Sequence, residues 1–211
     1  MNIIIFGATG MVGKQLVKQA LYKGHHVKAF GRNVFTEDLP EDDNLELIQG
    51  ALFDEAQVYK AISECEAVLS VLGGAKNDTD VTRSLGMKNI VKQMQAAGVN
   101  RIVALGGMGS LNVSEEDDTL ILDTPDYPAQ FFMVSKEHYK ALQFLKASSL
   151  EWTFVCPGDI IDAPPTGSFV TNADYPPIPN NNKINSGDLA LFMLNAMEKH
   201  EYISHRVGIS N

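Results

Sequence analysis

The segment Gly7-Ala8-Thr9-Gly10-Met11-Val12-Gly13 sets three glycines three residues apart, between an apolar run at Asn2–Phe6 and a helical stretch at Lys14–Leu21. A buried strand that runs into closely spaced glycines lets the backbone pass beside a diphosphate, and the helix that follows offers its free N–H groups at the positive end. The chemistry this suits is the holding of a dinucleotide. The spacing is GxxGxxG, not the commoner GxGxxG, so the flanking strand and helix carry the inference more than the glycines do. Gly13 lets the helix lie close against the strand.

A second group bears on which dinucleotide. Sites for NAD place an acid about 20 residues beyond the glycines to hold the ribose 2′-hydroxyl, whereas an arginine there accommodates a 2′-phosphate. This chain has Phe30-Gly31-Arg32-Asn33, and the nearest acid is Glu37. Arg32 can therefore pair with a phosphate in a charge-assisted fork. NADP(H) is expected in preference to NAD(H).

The elements that must position these residues alternate. Strands are expected at Asn2–Phe6, His26–Phe30, Glu46–Gln49, Ala67–Leu72, Arg101–Leu105 and Glu151–Cys156, with helices at Ala56–Cys65, Ser84–Ala97 and Ser135–Ala147 between them. The fold class is α/β, a Rossmann fold with a doubly wound parallel sheet and helices on both faces. Gly98 reads as a helix stop, and Asp188–Lys199 as a last helix, capped by Ser186 or Asp188 and packed on the sheet's edge. Two stretches break the alternation and are expected as substrate-side loops, one around residues 108–130 and the other at 157–183. The first holds the acid run Ser114–Asp118, read as a solvated loop; the second is rich in proline and asparagine turns.

Composition bounds the rest. At 211 residues and 45% hydrophobic, the chain suits one domain, residues 1–211. No apolar stretch approaches the roughly 20 residues that span a bilayer, and no leader opens the chain, so a cytoplasmic protein without membrane attachment is expected. A formal net charge of −9 without a basic cluster disfavours nucleic acid as a partner. Cys65 and Cys156 lack metal-ligand spacing and read as reduced thiols; no metal is expected. Cys156 has no adjacent base, and His25-His26 reads as a turn.

With these residues in view, the chain resembles the atypical short-chain dehydrogenase/reductase group of NAD(P)H-binding proteins, NmrA-like and flavin reductase (biliverdin-IX-beta reductase)-like. The likeness rests on Ile5-Phe6-Gly7-Ala8-Thr9-Gly10, Leu72-Gly73 with Asn77-Asp78, Asn89-Ile90-Val91 with Gly98-Val99, Arg101-Ile102-Val103-Ala104, Pro157 with Pro164-Pro165-Thr166-Gly167, and Ile184–Ala190. The resemblance implies that Gly7, Thr9, Gly10, Met11 and Val12 contact the pyrophosphate, Arg32 the 2′-phosphate, Leu52 the adenine and Leu72-Gly73 the ribose. Leu105-Gly106 and Pro157-Gly158 would flank the nicotinamide. Where relatives carry Gly-Asp to reach the adenine amino group, this chain has Gly50-Ala51. The catalytic Tyr-x-x-x-Lys pair of the family is replaced by Phe132-Met133-Val134-Ser135-Lys136, so the lysine persists without the tyrosine hydroxyl.

A conjugated acceptor can take hydride without that acid, because it spreads the resulting charge and gains its proton from water. The expected reaction is hydride transfer from NADPH to a flavin, quinone or tetrapyrrole. Met108, Phe131, Phe132 and Pro164 are expected as walls of the acceptor pocket, or alternatively as core. Lys136, His138 and Asp159 are weak candidates for proton transfer; His138 can titrate near neutral pH but reads more readily as a structural or surface histidine, and Asp159 more readily as a turn residue. The alternative is a non-enzymatic NADP(H)-binding regulator or sensor. The oligomeric state is open.

Overall fold

The opening apolar run forms β1 (Asn2–Phe6), with Ile3, Ile4, Ile5 and Phe6 all fully buried. Successive side chains of a strand point to opposite faces, so unbroken burial requires a helical layer on each side. Ile3 and Ile5 pack into one layer, Ile4 and Phe6 into the other. This is how a central strand of a covered parallel sheet reads. The computed structural model describes residues 1–36, 38–75 and 79–211. Glu37, weighed above against a 2′-phosphate, and Asn77-Asp78 of the resemblance lie outside the described residues.

From β1 the chain continues through α1 (Met11–Tyr22), β2 (His26–Gly31), β3 (Leu45–Gln49), α2 (Glu55–Ile62), β4 (Ala67–Ser70), α3 (Thr82–Ala97) and β5 (Arg101–Leu105). A 3₁₀ turn at Met108–Ser110 leads to β6 (Asn112–Ser114), β7 (Asp117–Leu120) and a second turn at Ile121–Asp123. Then follow α4 (Ala129–Lys146), β8 (Glu151–Pro157), β9 (Asp159–Ile161), β10 (Val170–Ala173), β11 (Lys183–Asn185), α5 (Ser186–Glu198) and β12 (His205–Ser210).

The main sheet has the order β3-β2-β1-β4-β5-β8-β12-β10, parallel except where β10 runs against β12. Between β1 and β4 the direction of winding reverses. Connections on the two sides of that point leave in opposite directions, which opens a crevice beyond the strands' carboxyl ends. Helices α1 and α5 cover one face, and α2, α3 and α4 the other.

The expected doubly wound α/β sheet is thus observed, with strand bounds within two residues of those read above. Gly98 ends α3 in the left-handed conformation, φ 72°, which a residue without Cβ adopts freely.

Four expectations need correction. The acid run is not an open loop: Asn112 pairs with Leu120 and Ser114 with Asp117 in an antiparallel hairpin. Helix α4 begins at Ala129, six residues before the expected start, so Phe131 and Phe132 lie in its first turn. Helix α5 packs on the face beside α1, not on the sheet's edge, because Leu189, Phe192, Met193 and Met197 bury against the sheet. Neither Ser186 nor Asp188 caps it; Asn185 holds the cap position without a side-chain bond, and Asp188 instead accepts bonds from Thr166 and Gly167. The stretch 157–183 holds no helix, as expected, but contributes β9 and β10. The edge pair β10 and β12 was not foreseen.

Candidate dinucleotide site

The site begins with two contacts that exclude side chains. Gly7 has φ +82°, and a Cβ there would lie 2.4 Å from the Val71 carbonyl oxygen. A Cβ on Gly13 would lie 2.1 Å from the Gly7 carbonyl oxygen. Helix α1 is therefore pressed against the turn that feeds it, as the sequence reading required. Gly10 caps α1 in an extended conformation without a side-chain bond, and the first turn carries no acid. Its amino end presents backbone N–H groups and a partial positive charge with no carboxylate competing for them.

Beyond this turn, at the carboxyl ends of β1, β2 and β4, lies a cavity of about 250 Å³. It brings together Gly7, Thr9, Arg32, Leu52, Leu72 and Gly73, six of the residues expected to touch the coenzyme. Its floor is Phe6 and Phe30, whose rings sit 5.0 Å apart. Gly50 is required by that floor, since its Cβ would fall 2.5 Å from the Phe30 ring. Arg32 is exposed at the cavity's lip, its carbonyl held by the Gln49 amide at 2.8 Å.

A larger cavity, about 340 Å³, lies at the opposite ends of the strands. Three carboxylates, Asp43, Glu46 and Glu64, line it against one lysine, Lys28, and His26, a balance that disfavours a phosphate.

Gly10, Met11 and Val12, three further residues expected at the coenzyme, do not line this cavity but form the start of α1 that follows its turn. Val12 can offer only its backbone there, because its side chain belongs to the core. Leu105, Gly106, Pro157 and Gly158 stand across the switch point, at the carboxyl ends of β5 and β8. The Gly106 N–H is bonded to Val155 at 2.7 Å, and its missing side chain leaves room for the Phe154 ring. Gly158 packs against the backbone of Asn182.

Sequence reading missed Phe30, Gly31, Phe53 and Thr82 in the cavity wall and a clamp behind it. Arg83, buried in the first turn of α3, donates to the carbonyls of Gly74 at 3.1 Å and Ala75 at 3.4 Å. Asp80 accepts from the N–H groups of Ala75 and Thr82. Burial opposes the Asp80 charge, but these bonds outweigh it and hold the carboxyl below its usual range. Together they fix Gly74 and Ala75, which follow Gly73. The signal was present as an arginine on the buried face of α3, which a lysine-like surface reading overlooks.

The candidates for proton transfer fare differently. His138 is buried, and desolvation followed by the nearby Arg83 charge pushes its pKa down to about 3. It stays a neutral imidazole beneath Gly107, not a group that titrates near neutral pH. Asp159 is exposed at the start of β9, opposite Lys183, with its N–H bonded to Asn182. It therefore belongs to a strand pairing and not to the cavity. Lys136 is exposed, with Nζ 5.9 Å from the Phe132 ring centre. Burial pushes the Cys156 thiol up to about 12, which removes it as a nucleophile. Of the expected acceptor walls, Met108 is half-buried, and Phe131, Phe132 and Pro164 are exposed. Pro164 and Pro165 cover Gly187 at the start of α5.

A glycine turn, an uncapped helix start and a crevice at the switch point define a Rossmann-type nucleotide-binding protein. The chain belongs to the NAD(P)H-binding family, which matches residues 7–200. It is 26% identical over 214 residues to the uncharacterized protein YwnB of Bacillus subtilis, covering 99% of this chain and 98% of YwnB. Among solved structures, a Streptococcus pneumoniae protein provisionally described as an NADH-flavin reductase is 27% identical with a TM-score of 0.84, covering 99% of this chain and 98% of its own. A Burkholderia pseudomallei protein provisionally described as exported is 28% identical with a TM-score of 0.85, both chains being covered in full. Among the described residues no helix is long and apolar enough to cross a membrane.

Proposed function

We propose that this protein is an NADPH-dependent reductase that passes hydride to a flavin or a similar planar conjugated acceptor, such as a quinone or a tetrapyrrole. The observation that carries the reading is the cavity itself: Arg32, just past the end of β2, lines it together with Gly7 and Thr9 of the turn that leads into the uncapped start of α1. Gly7 and Gly13, where neighbouring backbone leaves no room for a side chain, draw the turn and the start of α1 together, an arrangement that suits a diphosphate at the helix's amino end. When bound, NADPH would supply the hydride. The chain's own part is to hold the diphosphate at Gly10–Val12, to pair Arg32 with the 2′-phosphate, and to present Leu105-Gly106 and Pro157-Gly158 beside the nicotinamide.

The acid side of the reaction supports a conjugated acceptor. A ketone needs a donor at its oxygen; Phe132 offers none, His138 is held neutral, and Cys156 keeps its proton. Positioning is then the protein's main contribution. The similarity to the Streptococcus protein supports the acceptor class, although that protein is described with NADH. The want of a proton donor at Phe132, His138 and Cys156 also supports a second reading, an NADP(H)-binding regulator without turnover. We also infer that the protein works in the cytoplasm, where reduced coenzyme is supplied, without nucleic acid or membrane as partner.

The deciding experiment pairs a binding titration of NADPH with absorbance-monitored NADPH oxidation in the presence of riboflavin or FMN. Turnover is expected. Tight binding without turnover on flavins or quinones would favour the regulator.

A further inference from the structure

Two loops meet beyond the carboxyl ends of β5 and β8. Met108 opens the turn after β5, and Asn180 stands in the loop that leads into β11, its side-chain Nδ2 4.0 Å from the Met108 Sδ. The second loop is held from several sides. The Asn181 N–H donates to the Ser210 hydroxyl at 3.0 Å, and the Asn181 side-chain amide to the Asn211 carbonyl at 2.8 Å. The Asn182 carbonyl accepts the Asp159 N–H at 2.8 Å, and a Cβ on Gly158 would lie 2.4 Å from that carbonyl oxygen, so the loop rests directly on the backbone past β8. The Asn180 Oδ1 accepts the Asn182 N–H at 2.8 Å. That bond fixes the direction of the amide, because only its oxygen can face a backbone donor, and it turns the NH2 group toward Met108. A primary amide carries two donors, and a thioether is a weak acceptor that engages at most one of them. Asn180 is exposed, so the other donor is open to what enters between the loops.

Building on the reductase reading above, which sets the nicotinamide beside Gly106 and Gly158, we infer that the Asn180 amide hydrogen-bonds a carbonyl oxygen of the acceptor and so selects conjugated carbonyl compounds, flavins and quinones, as the substrate class. Hydride added to such a ring leaves negative charge that its carbonyl oxygens share, and a donor fixed in place beforehand stabilises that charge as it develops. The amide keeps both its protons; the one the reduced acceptor gains still comes from water. Asn180→Asp separates this role from support of the loop, because the carboxylate can still accept the Asn182 N–H but has no N–H to give. In steady-state NADPH oxidation, kcat/KM for riboflavin and for menadione should fall by roughly tenfold or more in Asn180→Asp and in Asn180→Ala, while the NADPH dissociation constant from calorimetry stays within about twofold. A loss in Asn180→Ala alone would show that the side chain only braces its loop. That result, equal rates in all three proteins, or a parallel loss of NADPH affinity would each overturn the inference and leave the reductase reading in place. Absence of NADPH oxidation by the unaltered protein with either acceptor would instead remove that reading, and this one with it.

Discussion

Arg32 is exposed, so its charge acts through a direct contact with a 2′-phosphate and not through burial. Hydrogen bonds to charged groups contribute about 1.5–3 kcal/mol, roughly ten- to hundredfold in affinity. Arg32→Ala should therefore weaken NADPH binding by that amount and leave NADH within about twofold, as read by titration of both; equal losses would remove the 2′-phosphate contact. His138 makes a different kind of prediction. Its folded pKa, about 3, lies below the unfolded value near 6.5. The unfolded chain thus binds the proton first, and stability falls as pH drops below about 6.5, by roughly 1.4 kcal/mol per unit. Urea melts of His138→Gln should lack this slope, and between pH 4 and 8 the rate of flavin reduction should show no step that the variant abolishes. Phe132→Tyr should change that rate by less than about twofold, since a conjugated acceptor takes its proton from water; a large gain in steady-state turnover would show that protonation limits the reaction.

At the level of elements, α1 and the strand before it act as one unit because Gly13 permits their approach. Gly13→Ala would drive a methyl group to 2.1 Å from the Gly7 carbonyl oxygen, and the backbone must move to relieve it. A loss of about 1–3 kcal/mol is expected, the usual scale for overfilling a packed site. Gly10 provides the contrast, with φ −77° and 3.4 Å of clearance to the same oxygen. Gly10→Ala should keep the thermal midpoint within a few degrees yet lose NADPH affinity, because its methyl group would stand in the diphosphate's path. If both variants melt alike, the close approach of α1 to the turn is not what holds the element in place.

For the molecule as a whole, what was legible in the sequence is what periodicity writes locally. Buried parallel strands such as β1 read as apolar runs, Gly7, Gly13 and Gly50 mark places where a side chain has no room, and Gly98 one where the backbone turns left-handed. Of the six cavity residues, Gly7 and Arg32 followed from the glycine turn and the end of the second strand, and Thr9, Leu52, Leu72 and Gly73 from the family resemblance. The remainder depends on partners far away in sequence. Phe53 and Thr82 line the cavity from the segments that lead into α2 and α3, and His138 loses its charge chiefly because burial desolvates it, with the Arg83 charge adding to the effect. The hairpin from Asn112 to Leu120 likewise forms beside the strand edge, where Asn112 donates its N–H to Asp174. The clearest case is Asp188. Read locally it was a helix cap, yet its buried carboxylate accepts from the Thr166 and Gly167 N–H groups at 2.7 Å, the Thr166 hydroxyl at 2.8 Å and the Asn211 amide at 2.8 Å. It thereby joins α5 to the 157–183 stretch and to the segment after β12. Burial opposes its charge, and these bonds overcome that and hold its pKa below the usual carboxylate range. A lowered folded pKa gives stability that is complete above the unfolded value near 3.9 and is lost as pH falls through the folded one. Asp188→Asn should cost about 2–3 kcal/mol near pH 7, because an amide cannot accept all of these donors. Below pH 4 the two proteins should converge in urea midpoint as the aspartate protonates. A constant gap between them down to pH 2 would show that shape, not charge, makes this clasp.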